Sequence, residues 1–154
     1  MGSVDRVDSG FFVCNKDINT IIRLANFNPL FREGAEATPH KFKLMIMREN
    51  GRVAAKKTGS IRAGEQINID LGKIQNCPEQ GWFLLSVIPL GPGYYGTLRP
   101  QVLLIGSDWA SSCHTQFHGF ASNKVRRVAV GIKSTNGKTW CKVCIINGEN
   151  KSGE

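Results

Sequence analysis

No apolar stretch in this chain approaches the ~20 residues that a membrane-spanning helix needs, so no helical span and no membrane partner are expected. No long segment repeats apolar residues every three or four positions, which removes helical bundles and coiled coils. Cysteine is present but poorly arranged for a disulfide framework. The five thiols, Cys14, Cys77, Cys113, Cys141 and Cys144, are odd in number and irregular in spacing. Met1 to Gly10 is polar and carries no apolar signal segment. Together these absences lead to the expectation of a reduced, cytoplasmic protein. The signatures of a P-loop, a dinucleotide fold and a nucleophile elbow are all missing. Acidic residues are also short in supply: 12 stand against 20 basic ones, a formal net charge of +8. Such an excess favours anionic partners, although the basic residues are spread along the chain rather than run together.

What is present is glycine, 17 residues of it, placed between short apolar runs. Strand patterns recur throughout. In Asp17–Phe27, Ile22, Leu24 and Asn26 alternate with Ile21, Arg23 and Ala25. In Lys41–Arg48, Phe42, Leu44 and Ile46 share a face. Asn50-Gly51 follows at once and predicts a type I′ hairpin turn into Arg52–Lys57. Ala63-Gly64 turns the chain into Gln66–Leu71, where Ile67, Ile69 and Leu71 alternate with polar residues. Gly81–Ile88 and Val102–Ile105 read as buried strands, Gly10–Cys14 as an edge strand or plug. Asn136-Gly137 predicts a second hairpin between Val125–Ile132 and Thr139–Asn147. The expected fold is all-β: an antiparallel β-sandwich of Ig-like or jelly-roll type, with about nine short strands and little helix. One domain over residues 10–147 is expected, with a loose arm at 1–9 and a polar tail at 148–154.

The segment Gln101–Gly119 concentrates the polar chemistry. Read as one strand, it places Ser112, His114, Gln116 and His118 in a wet row opposite Cys113, Thr115 and Phe117. Alternation alone accounts for such a row. It could also line a ligand surface together with Trp109 and with Tyr94-Tyr95, which sit in the Gly- and Pro-rich loop 89–100. His114-x3-His118 with Cys141-x2-Cys144 has zinc-ligand chemistry. Two cysteines three apart in a strand point to opposite faces, however, so no metal and no cofactor is expected. Cys113 beside His114 is weakened as a catalytic dyad for the same reason, and Asp108 with a histidine is a slender acid–base pair. For nucleic acid the candidates are Lys56, Lys57 and Arg62, then Lys124, Arg126 and Arg127 near the second hairpin. Edge-strand lysines also serve simply to block aggregation.

Gly59–Leu71, Trp82–Ile88, Arg99–Ile105 and the polar run to Gln116 occur in the order of, and resemble, the bacterial sensory rhodopsin transducer family. The resemblance implies a compact, oligomer-forming sandwich that acts as a binding or signalling module. The Tyr94-Tyr95 loop, the extra basic charge and the C-terminal hairpin depart from that family, and no functional residue is carried over.

Three functions follow as expectations. The first is a non-enzymatic, self-associating binding or interaction module for a small polar ligand such as a sugar, or for a protein. The second is a nucleic-acid-binding protein using basic hairpins. The third is a metal-dependent enzyme using His114 and His118.

Overall fold

The computed structural model describes residues 6–28, 37–91 and 100–120, with the side chains of 116–120 excepted. These residues form nine strands: β1 (Arg6–Val13), β2 (Asn19–Ala25), β3 (His40–Met47), β4 (Val53–Ile61), β5 (Gln66–Asp70), β6 (Gln80–Pro89), β7 (Gln101–Ile105), β8 (Ala110–His114) and β9 (Gln116–Phe120). The one helical element among them is a 3-10 turn, Leu71–Lys73. Among the described residues no helix is long and apolar enough to cross a membrane. All strand pairs are antiparallel, in a sheet of order β4-β3-β6-β1-β9 and a second of order β5-β2-β7-β8. The protein is a β-sandwich.

The pairs β3·β4, β2·β5 and β1·β6 nest around the Asn50-Gly51 turn, and successive pairs fall in alternate sheets. The two sheets are thus wound from one folded-over ribbon. The turn has a different form from the type I′ expected. Asn50 stays at negative φ and only Gly51 is left-handed, at φ 79°. Gly51 N donates to Arg48 O, and Arg48 N to Arg52 O. This is a three-residue loop closed by a bulge at glycine. Asn50 Oδ1 accepts from Arg52 N at 3.1 Å, which holds the asparagine in place.

Period-two alternation becomes inside and outside as expected. Thr20, Ile22, Leu24 and Asn26 of the β2 row are buried, as are His40, Phe42, Leu44 and Ile46 of β3 and Phe83, Leu85 and Val87 of β6. Phe12, Ile61, Ile69, Leu71 and Val102 complete the core between the sheets. Two glycines accommodate its largest rings. A methyl at Gly10 would lie 2.6 Å from Phe83 Cζ, and one at Gly59 2.5 Å from Phe42 Cζ. Each is the cross-strand partner of the phenylalanine that covers it. A bare backbone there lets the ring lie flat over the neighbouring strand.

Several boundaries differ from the sequence reading. Residues 6–9, assigned to the loose arm, are the first half of β1, and Asp8 and Ser9 are buried. β1 is no edge strand, since β6 and β9 flank it. β4 does not stop at Lys57 but runs to Ile61, which absorbs Gly59-Ser60-Ile61. Of β7, only Val102 is fully buried, and Ile105 is exposed. The second hairpin at Asn136-Gly137 and the tail 148–154 lie outside the described residues.

Candidate functional site

The β7–β8 hairpin closes through Gly106 N, which donates to Trp109 O at 2.9 Å. Ser107 Oγ donates to Asp108 Oδ1 at 3.1 Å. Glycine at 106 leaves space for the Trp109 ring, which lies against it and stays 45% exposed. Every residue of β8 is exposed, including Ser112, Cys113 and His114. Cys113 therefore does not face the core as expected. Asp108 sits at the turn and His114 at the far end of β8. At ~3.3 Å per residue the length of the strand separates them, so they form no acid–base pair.

The expected row ends at His114. Thr115 is buried; its N donates to Pro100 O at 3.0 Å, and its Oγ1 lies 3.2 Å from the same oxygen. The Thr115 hydroxyl also lies 2.9 Å from Asp8 Oδ1, and Arg6 Nε donates to Asp8 Oδ2 at 2.7 Å. Beyond this buried knot the chain passes to the other sheet as β9, where Gln116 pairs with Ser9 and Phe117 with Asp8. Ser112 and His114 thus belong to one sheet, Gln116 and His118 to the other. The four do not form one row along one strand. The physical reason is the threonine: its two donors tie it to Pro100 and Asp8, and a strand cannot continue straight through that anchor.

Tyr94, Tyr95, Lys124, Arg126 and Arg127 lie outside the described residues, as do the side chains of Gln116 and His118. So do Cys141 and Cys144. Among the described residues no three His, Cys, Asp or Glu side chains gather closely enough to hold a metal ion.

A second constellation is better formed. β4 is the edge of its sheet and pairs only with β3 among the described strands. Along that edge runs a groove of about 410 Å³, lined by Ala54, Ala55, Lys56, Lys57, Lys73, Ile74, Gln75 and Asn76. Lys56 and Lys57, adjacent in a strand, point to opposite faces, and both residues line the groove. Its other wall is the 3-10 turn and the residues after it. Ile74 N donates to Leu71 O, and Asn76 adopts φ 62°, so the chain bends sharply there. Asp70 anchors this wall: Asn19 Nδ2 donates to Asp70 Oδ1 at 2.9 Å, and Lys73 Nζ lies 3.5 Å from Oδ2. The Asn19 hydrogen bond, aided by Lys73, holds the Asp70 carboxyl below its ordinary range. Lys73 itself is 85% exposed.

Lys41 and Lys43 extend the basic surface on the outer face of β3, where Met45 pairs with Lys56. Arg62 lies beyond the other end of β4, where its backbone N donates to Glu65 Oε2 at 2.7 Å, and it does not line the groove. The sequence reading found Lys56 and Lys57 but not Lys73. The only signal available was a lysine next to a strand end, which is too common to single out.

Comparison with protein-family models, with curated proteins and with solved structures finds no match to this chain.

Proposed function

We propose that the protein is a non-enzymatic β-sandwich binding module that holds a nucleic-acid strand by its phosphates. The observation that carries this reading is the convergence of Lys56, Lys57 and Lys73 on one groove at the open edge of β4. Ammonium groups spaced along an edge suit a chain of regularly spaced anions, and the net charge of +8 draws such a chain in. Among the described residues no aromatic side chain lines the groove, so binding is through the backbone and insensitive to base sequence. Fluorescence anisotropy with a labelled single-stranded oligonucleotide tests the reading. The triple variant K56A/K57A/K73A should bind at least tenfold more weakly, while His114→Ala binds as the wild type does. Equal affinity of the triple variant would refute it.

A second reading has one specific observation in its favour, the fixed and half-exposed Trp109 ring. In that reading Trp109, with Ser112 and His114, offers a stacking platform to a sugar. Titration of Trp fluorescence with mono- and disaccharides should then show saturation that Trp109→Ala abolishes; no saturation in the wild type would remove it.

Self-association belongs to the same proposal. The outer edge of β8 has no strand neighbour among the described residues, and Ala110–His114 carries neither Lys, Glu nor Pro to blunt it. Two such edges pairing antiparallel would join two copies into one continuous sheet.

A further inference from the structure

The end of β1 carries a feature that spacing alone hides. The pairing of β1 with β6 stops at Val13 opposite Gln80, and one further bond, from Cys14 N to Glu79 O at 2.6 Å, extends it. Cys14 is thereby fixed beside the segment that leads into β6. That segment arrives from the 3-10 turn. Cys77 N donates to Ile74 O at 3.1 Å, and the left-handed Asn76 turns the chain back toward the end of β1. Cys14 and Cys77 are both half-buried and both pack on the hydrophobic core. Their thiols are close neighbours, each near enough to influence the other's protonation. Cys14 Sγ also lies 3.7 Å from Asn19 Oδ1, and Cys77 Sγ lies 3.6 Å from Pro78 O. The backbone on both sides is held by hydrogen bonds, so the two sulfurs are kept together rather than meeting by chance.

We infer that Cys14 and Cys77 form a dithiol that closes to an intrachain disulfide when the protein meets a low-molecular-weight disulfide. The Cys14 thiolate attacks one sulfur of the small disulfide and displaces its partner as a thiolate, leaving a mixed disulfide on Cys14. Cys77 then loses its proton to solvent and attacks the Cys14 sulfur, releasing the second small thiol. Two protein thiols are oxidised by two electrons, and one small disulfide is reduced to two thiols.

Burial sets the order and pace of these steps. It raises both thiols, and Cys77 is pushed up to about 12. Thr20 and Cys77 both favour the Cys14 thiolate, whereas Cys14 disfavours the thiolate of Cys77. Cys14 is therefore the attacking sulfur and Cys77 the resolving one. So small a thiolate fraction makes the pair slow to react at neutral pH. The product is nonetheless favoured, because the fold holds the two thiols side by side, and it stabilises the fold, because it closes a loop of roughly 60 residues in the unfolded chain. Cys113, exposed on β8, is placed for a mixed disulfide only, since no cysteine faces it among the described residues. None of this depends on what the groove binds.

The test uses the full chain, reduced and then incubated with glutathione disulfide at pH 8. Acid quenching and peptide mapping without reductant follow. The expected result is a Cys14–Cys77 crosslink and a Tm raised by about 10 °C, both reversed by dithiothreitol. Stable glutathione adducts on Cys14 or Cys77, or modification confined to Cys113, would overturn the inference. The double variant C14S/C77S should show no rise in Tm on oxidation; a rise that persists there would place the crosslink elsewhere and overturn it too. The mapping is done on the wild type, so it needs no variant to fold.

Discussion

Asn26 shows how much of this fold rests on single polar side chains. It is fully buried at the end of β2, and its Nδ2 donates to Thr38 O at 2.9 Å and Arg62 O at 3.2 Å. Its own backbone exchanges bonds with Glu65 and Gly64. One amide thus binds three stretches of chain. Asn26→Ala removes two donors from buried carbonyls and should cost about 2–3 kcal/mol in urea unfolding. Asn26→Asp should cost more, because a buried carboxylate would face the same two carbonyl oxygens. Gly10 is a second such point: Gly10→Ala forces the Phe83 ring aside and should cost about 1–3 kcal/mol. His40 supplies a pH dependence. It is fully buried, and burial lowers its pKa below the ordinary 6.5. The unfolded chain then binds a proton more readily than the folded one. Stability from this group is complete above pH 6.5 and is lost as pH falls through the lowered value. The urea midpoint should drop between pH 8 and pH 5, and His40→Gln should flatten that drop.

At the scale of the element, alternation was readable wherever a strand has one wet face. β2, β3 and β5 were placed from their apolar rows alone, because sheet geometry permits no other period. The Asn50-Gly51 hairpin was readable as a turn but not as a turn type. Both forms want glycine at its position, and the choice between them lies in Asn50, which stays at negative φ where its side chain reaches Arg52 N. Gly51→Ala places a Cβ at φ 79° and should cost about 1 kcal/mol or more in thermal unfolding, whereas Asn50→Ala should cost less. The wet row from Ser112 to His118 was misread for a different reason. Thr115 looks like any β-branched strand residue. Its anchors, Asp8 and Pro100, are remote in sequence, so nothing local marks the change of sheet. The contact between Cys14 and Cys77 was hidden in the same way. β8 yields a prediction of its own. If its edge pairs two copies, Ser112→Pro should shift the protein toward monomer in analytical ultracentrifugation; an unchanged sedimentation profile, or a monomeric wild type, would rule that edge out.

For the whole molecule, the winding of the sandwich makes the difference between a scattered charge and a site. Lys56 and Lys57 lie in β4, and Lys73 follows β5, in the other sheet. Winding the folded ribbon brings the edge of β4 alongside the turn after β5, and three lysines meet that no linear motif would join. The fold class was legible because it depends on period and turn chemistry, which are local. The groove was not, because it depends on which sheet edges end up adjacent. The most direct test of the phosphate-binding account is the salt dependence of oligonucleotide affinity. Log Kd should rise steeply with log salt for the wild type, and the slope for K56A/K57A/K73A should be shallower by about 2, since each lost phosphate contact to a single strand removes ~0.7. Parallel lines for wild type and variant would mean that these lysines hold no phosphates, and the account would be wrong.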